Sequence, residues 1–132
     1  MKKIDSVCLV DDDEIFQFLA HEVIQSTDLV GKVKTFSNGS EAINFIESVK
    51  DSPDELPEVI LLDLFMPVLD GWGFLEKYLQ LKPHLKKKIN IYIVTSSIDP
   101  LDVQKANSIS DVSGYVIKPL TRDKFINTIS LM

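Results

Sequence analysis

Apolar and polar residues follow two different patterns that alternate from one end of the chain to the other. Short runs rich in apolar and β-branched residues predict five β-strands, at Ser6–Val10, Lys32–Phe36, Val59–Leu62, Ile89–Thr95 and Gly114–Ile117. The runs are continuous more than alternating, which is typical of parallel strands covered on both faces.

Between the runs, apolar residues recur every three to four positions and predict five helices. These span about Glu14–Ser26, Ser40–Val49, Gly71–Leu81, Asp99–Ile109 and Thr121–Leu131, the fourth opening with an N-cap aspartate and an N1 proline. The residues expected to face the core are Phe16, Leu19, Ala20, Val23 and Ile24, then Ala42, Ile43, Phe45, Ile46 and Val49, then Phe74, Leu75, Tyr78 and Leu79, and finally Phe125, Ile126 and Ile129.

Five consecutive strand–helix units predict an α/β fold with right-handed crossovers. We expect residues 1–132 to form a single domain around a doubly wound, five-stranded parallel sheet of order 2-1-3-4-5. In such sheets the functional site lies beyond the carboxyl ends of the strands, where the winding reverses between strands 1 and 3.

Polar residues follow four of the predicted strands directly and should therefore meet at that edge. They are Asp11, Asp12 and Asp13 after strand 1, Asp63 after strand 3, Thr95, Ser96 and Ser97 at strand 4, and Lys118 and Pro119 after strand 5. Burying a carboxylate at the end of a core strand costs free energy unless a partner there compensates its charge. Asp13 or Glu14 is the better candidate for capping the first helix, and Asp70–Gly71 for a turn and N-cap.

The remaining acids favour a cation. Two carboxylates about 4 Å apart repel by roughly 4 kcal/mol at an effective dielectric constant of about 20. Hard oxygen ligands with room for water suit Mg²⁺. With the metal bound, Asp63 would be an oxygen nucleophile able to form an aspartyl phosphate, while Lys118 and the Thr95 hydroxyl would neutralise the phosphoryl oxygens.

Four segments in this order are highly specific together: VDD at 10–12, LLDLFMPVLDG at 61–71, VTSS at 94–97 and YVIKPL at 115–120. With them, the whole chain resembles the response-regulator receiver domains of two-component signalling. The resemblance implies a flavodoxin-like (βα)5 fold like that of chemotaxis receivers. It also implies a stand-alone, phosphorylation-dependent switch. Such a switch catalyses only its own phosphorylation and dephosphorylation and is not otherwise an enzyme.

By this resemblance, Asp63 is the residue that accepts the phosphoryl group. Mg²⁺ is held by Asp12 directly, by Asp11 mainly through water, by Asp63 and by the backbone carbonyl of Phe65. The hydroxyl of Thr95 follows the phosphoryl group.

The same resemblance makes Lys118 the lysine that pairs with the phosphoryl group and Tyr115 the aromatic residue that turns inward on activation. Pro67 and Gly71 shape the loop around the acceptor, and the Lys118–Pro119 bond is expected to be cis.

The implied partners are a histidine kinase or histidine phosphotransfer protein as donor and an effector protein that the sequence does not identify. The effector would bind the surface of helix 4, strand 5 and helix 5, and phosphorylation could also drive homodimerisation. We expect no separate output domain, because the chain ends with the fifth helix.

Composition excludes several other classes. The net charge of −6 argues against binding to nucleic acid or to an anionic membrane. The chain shows no secretory signal and no apolar run near the ~20 residues of a membrane span, so we expect a cytoplasmic protein. The only cysteine, Cys8, lies in an apolar run and is expected in the core.

The competing hypothesis is a Mg²⁺-dependent phosphatase of the haloacid-dehalogenase type, which also uses an aspartate nucleophile at a strand end. That family requires a second acid two residues after the nucleophile, where this chain has Phe65. Phe65 is also unusually bulky for a receiver, beside the path of the hydrolytic water. We therefore hypothesise a long-lived phosphoaspartate. The loops Lys50–Pro57 and Lys82–Lys88 are longer than average and are assigned no role.

Overall fold

The computed structural model describes residues 3–132 and contains one sheet of five parallel strands. The strands are β1 (Ile4–Val10), β2 (Val30–Phe36), β3 (Val59–Leu62), β4 (Asn90–Thr95) and β5 (Val112–Ile117). Their order is β2-β1-β3-β4-β5, which confirms the predicted topology. β1 lies between β2 and β3, with Val10 paired to Phe36 on one side and to Leu62 on the other.

Five α-helices connect or follow the strands: α1 (Glu14–Ser26), α2 (Gly39–Ser48), α3 (Gly71–Leu81), α4 (Pro100–Asn107) and α5 (Arg122–Ser130). A short 3-10 turn over Lys82–His84 extends α3. Each helix begins after a polar side chain that accepts a hydrogen bond from the first turn. These N-caps are Asp13, Asn38, Asp70, Asp99 and Thr121. The capping roles predicted for Asp13 and Asp70 are therefore confirmed.

The core forms two apolar layers, one on each face of the sheet. One layer joins β1, β3 and β4 to α2 and α3, with Phe74 and Leu62 fully buried. The other joins the opposite strand face to α1 and α5, around Ile24 and Phe125. Cys8 is buried in the first layer, as predicted, and burial raises the pKa of its thiol to about 12.

Two residues predicted to face the core are exposed instead. Leu19 on α1 is 56% exposed and Leu79 on α3 is 41% exposed. On α1, Ile15 and Phe18 are exposed beside Leu19, so an apolar flank of this helix lies outside the layer that Ala20 and Ile24 enter. The apolar stripe of α1 is therefore wider than the face that the sheet and α5 cover.

The strand predictions were right in number and order but wrong at several ends. β1, β2 and β5 each begin two residues earlier than predicted, because backbone pairing extends past the apolar run. β4 begins one residue later, at Asn90, α2 is shifted one residue toward the N-terminus, and α4 and α5 are slightly shorter than predicted. β2 is an edge strand with Lys32 and Lys34 exposed, so the expectation of coverage on both faces fails there.

Within residues 3–132, no helix has the length and hydropathy needed to cross a bilayer.

Candidate functional site

Three carboxylates converge at the carboxyl ends of β1 and β3. Asp11 and Asp12 follow β1, and Asp63 follows β3, where its backbone N–H extends the pairing to Val10 O at 3.0 Å. One carboxylate oxygen from each of the three residues lies within 4.8 Å of the others. Since β1 and β3 are neighbours in the sheet, acids distant in the sequence are brought together by strand order alone.

The three acids differ in their surroundings. Asp11 is 1% exposed and Asp63 is 7% exposed, whereas Asp12 is open to solvent. Asp63 Oδ1 accepts a hydrogen bond from Leu64 N at 2.8 Å. Asp11 Oδ1 accepts one from Asp13 N at 2.9 Å. The site is therefore a half-open cleft with two buried acids and one at its mouth.

Lys118 partly balances the acids. Its Nζ lies 2.8 Å from Asp11 Oδ2 and 3.3 Å from Asp63 Oδ2. Burial lowers the pKa of Lys118, but pairing with Asp11 and Asp63 outweighs burial and raises that pKa overall. Burial raises the pKa of Asp11, and the charge of Asp63 adds to this, against the opposing effect of Lys118. One ammonium against three carboxylates leaves an excess of negative charge.

A divalent cation fits this excess. Within residues 3–132, Asp11 Oδ2 is buried without a hydrogen bond; its contact with Lys118 is a close ion pair without hydrogen-bond geometry. Since the three carboxylate oxygens lie within 4.8 Å of one another, each pair of carboxylates repels by about 3 kcal/mol or more at an effective dielectric constant of about 20. An oxygen-rich, water-accessible set of this kind has the chemistry that Mg²⁺ prefers.

β4 and β5 contribute a hydroxyl and an aromatic residue, which the β4–α4 loop links. Thr95 is fully buried at the end of β4, and its Oγ1 accepts from Ser97 N at 3.4 Å. Ser97 Oγ donates to Asp102 in α4 at 2.6 Å. The hydroxyl of Tyr115, a half-buried residue of β5, donates to Ser97 O at 2.9 Å. Thr95 and Tyr115 are thus linked through Ser97; within residues 3–132, no hydrogen bond joins either to Asp63.

The loop after Asp63 approaches the Asp63 backbone very closely at one position. A Cβ built on Gly71 would lie 2.4 Å from Asp63 O and 2.9 Å from Leu64 Cα, distances that a real side chain cannot adopt. Val68 has a positive φ of 70°, which bends the chain after Pro67. The side chain of Phe65 is 57% exposed beside the cleft. Across the cleft, the Lys118–Pro119 bond is cis, as the resemblance implies.

Three further residues support the site and were not recognised in the sequence. Gln17 Nε2 donates to Asp11 O, and Lys124 Nζ donates to Ile117 O at 2.7 Å and Pro119 O at 3.2 Å. The ring of Phe16 lies under Lys118, with the centroid 4.2 Å from Nζ. Phe16 was predicted as a core residue from its helical spacing, and nothing in the pattern distinguishes Gln17 or Lys124 from other surface residues of their helices.

The chain resembles known proteins both in sequence and in structure. Residues 7–130 match the family model of the response regulator receiver domain. A two-component response regulator from Cytophaga hutchinsonii has a similar structure, with a TM-score of 0.89, 34% identity, and 98% of this chain and 97% of that one covered.

Two further proteins are similar over most of this chain. The Mn²⁺-bound form of response regulator Rcp1 gives a TM-score of 0.76 at 27% identity, covering 96% of this chain and 91% of that one. The protein-glutamate methylesterase/protein-glutamine glutaminase 1 of Paramagnetospirillum magneticum is 31% identical over 118 residues. That match covers 89% of this chain but only 29% of the methylesterase, so the chain corresponds to a minor part of it.

Proposed function

Because the chain belongs to the response regulator receiver domain family, whose members act in phosphorylation-dependent signalling, we propose that Asp63 is its phosphoacceptor. The observation that carries this proposal is the convergence of Asp11, Asp12 and Asp63 within 4.8 Å, with the Lys118 ammonium among them. Receiver domains accept their phosphoryl group from a histidine kinase or a phosphotransfer protein.

In the proposed reaction, a carboxylate oxygen of Asp63 attacks phosphorus in line with the imidazole nitrogen of the donor phosphohistidine. The new phosphorus–oxygen bond forms as the phosphorus–nitrogen bond breaks, and the imidazole keeps the electron pair. Asp63 is oriented for attack by the hydrogen bond from Leu64 N to Oδ1. Lys118, already 3.3 Å from Oδ2, is placed to pair with a transferred phosphoryl oxygen.

Mg²⁺ would be held by Asp11, Asp12, Asp63 and the carbonyl of Phe65, and it would neutralise charge on the phosphoryl oxygens. The buried Asp11 Oδ2, which shares the single Lys118 ammonium with Asp63, supports a metal at this position. The structurally similar response regulator Rcp1 has a Mn²⁺-bound form, which supports a divalent cation as the ligand of this chain. Asp12, the exposed acid, is the one best placed to bind a metal that arrives from solvent.

The proposed switch runs through Thr95, Ser97 and Tyr115. If Thr95 shifts toward the phosphoryl group, the Ser97 backbone, whose N–H donates to Thr95 Oγ1, moves with it. The Ser97 carbonyl accepts the hydrogen bond from the Tyr115 hydroxyl, so this movement reaches Tyr115. Two exposed apolar residues follow Ser97 closely: Ile98 in the β4–α4 loop and Leu101 in the first turn of α4. We therefore place the effector surface on α4, β5 and α5. A phosphorylation-dependent homodimer through this surface and a cytoplasmic location also remain proposals.

The test is intact-mass analysis after incubation with acetyl phosphate, with and without Mg²⁺. The wild-type protein should gain one phosphoryl group only with the metal, and Asp63→Asn should gain none. Asp99→Asn, which exchanges the exposed N-cap acid of α4 for another N-cap residue and leaves the three clustered acids in place, is the matched control and should be phosphorylated normally. Phosphorylation of Asp63→Asn at the wild-type rate would refute the assignment.

Nothing favours the alternative phosphatase function. The residue two positions after Asp63 is Phe65, which cannot protonate a leaving group. Autophosphorylation and autodephosphorylation are the only catalysis that we propose for this chain.

A further inference from the structure

Phe16 occupies a fixed place beside the acid cluster. Its backbone N–H donates to the N-cap carboxylate of Asp13 at 3.2 Å, which ties the first turn of α1 to the loop carrying Asp11 and Asp12. Its half-buried side chain packs on the layer of α1 and α5. The ring face meets the Lys118 ammonium, with Nζ 4.2 Å from the centroid.

We propose that Phe16 is a positioning residue for Lys118: its ring holds the ammonium beside Asp63 by a cation–π contact that persists when metal and phosphoryl group engage the carboxylates. This inference rests on the proposed function, because it assigns a role in the same phosphoryl transfer. The Phe16 side chain carries no group that could take part in phosphoryl transfer, so it would act only through Lys118.

The argument follows from the three partners of Lys118. Two of them, Asp11 and Asp63, are the residues whose oxygens a metal and a phosphoryl group would occupy. Once those oxygens are engaged, the carboxylates attract the ammonium less strongly. Among residues 3–132, the Phe16 ring is the partner of the ammonium that neither ionises nor binds a metal. The ring therefore limits the movement of the long Lys118 side chain during phosphoryl transfer, when the ammonium must stay beside Asp63.

An aliphatic residue of similar size would fill the same space without this effect. Only an aromatic ring presents a negative face to a cation. A cation–π contact in a partly desolvated site corresponds to a change of about 2-fold to about 30-fold in an equilibrium or rate constant. Phe18 is a natural comparison, because it lies on the same helix but is 65% exposed.

The test replaces Phe16 site-specifically with phenylalanines carrying one, two or three ring fluorines, which keep the shape but progressively weaken the negative face. We expect the phosphorylation rate constant, measured with acetyl phosphate at saturating Mg²⁺, to fall with each added fluorine. Phe16→Leu should be slower by about 2-fold to 30-fold, Phe16→Trp should retain the rate, and Phe18→Leu should match the wild type. Equal rates across the fluorinated series would overturn the proposal, even if Phe16→Leu is slow, because packing alone would then explain the leucine variant.

A second measurement separates this proposal from the proposed function. In protein labelled with ¹³C at the lysine ε-carbon, the ring current of Phe16 should shift the Lys118 ε-protons upfield. We expect that shift in the metal-free and Mg²⁺-loaded wild type and its loss in Phe16→Leu. Loss of the shift when Mg²⁺ is added to the wild type would contradict the proposal. If the wild type takes up no phosphoryl group, the proposed function fails, and this spectrum still decides whether Phe16 positions Lys118.

Discussion

Replacing Lys118 by methionine, which is similar in length but uncharged, should destabilise the metal-free protein. The variant leaves two buried carboxylates, Asp11 and Asp63, without the ammonium that lies 2.8 Å and 3.3 Å from them. Removing one partner of a buried charge pair usually costs 3–5 kcal/mol. Since 18% of the Lys118 side chain is exposed, we expect a loss of about 3 kcal/mol, at the low end of that range.

Mg²⁺ should reverse much of this loss. The metal and the ammonium compete for the same carboxylates, so removing the ammonium should tighten Mg²⁺ binding by at least about tenfold, or about 1.4 kcal/mol. Because ligand binding stabilises the folded state by mass action, added Mg²⁺ should raise the stability of Lys118→Met more than that of the wild type.

Urea denaturation followed by circular dichroism, in EDTA and in Mg²⁺, measures the free energy of unfolding, and calorimetric titration measures the Mg²⁺ affinity. Lys82→Met is the matched control, because Lys82 pairs with Asp111 but is 51% exposed, and it should change stability by less than about 1 kcal/mol. Equal stability of wild type and Lys118→Met in EDTA, or equal Mg²⁺ affinity, would refute the reasoning.

Three further predictions concern the neighbouring loop and the core. Gly71→Ala should destabilise the protein by about 1–3 kcal/mol in urea denaturation, because the new Cβ would collide with the Asp63 backbone. Gly73→Ala should destabilise it less, because the new Cβ meets the movable side chain of Leu69, and the reverse ranking would contradict the packing argument. Phe65→Asn should shorten the phosphoaspartate lifetime, measured by intact mass after removal of donor; an unchanged or longer lifetime would count against a role in excluding water. Burial raises the pKa of Cys8 to about 12, so its thiol should resist labelling at pH 8 until the protein unfolds, and rapid labelling of the native protein would contradict its burial. The free energy of unfolding should also decline as the pH rises from about 9 toward 12, because the thiol of the unfolded chain loses its proton at a lower pH than the buried thiol.

The fold and the acid cluster follow from the sequence because both depend on one-dimensional periodicities. Alternating strands and helices specify the sheet, and strand order then brings Asp11 and Asp63 to one edge. The exposure of Leu19 does not follow, because helical spacing identifies an apolar stripe but not how much of it the neighbouring elements cover. The contact between Phe16 and Lys118 joins residues far apart in the sequence and could not be predicted from either segment alone.

The run Asp11-Asp12-Asp13 shows how one residue type acquires three roles from backbone geometry. Asp11 and Asp12 follow the last residue of β1, Val10, and one carboxylate oxygen from each lies within 4.8 Å of the other, yet Asp11 is buried beside Lys118 while Asp12 is exposed. The chain then turns into α1, and Asp13 becomes its N-cap, accepting hydrogen bonds from Ile15 N and Phe16 N. The cap carboxylate is thereby engaged with the first turn of the helix, which leaves Asp11 and Asp12 to face Asp63 as the candidate metal ligands.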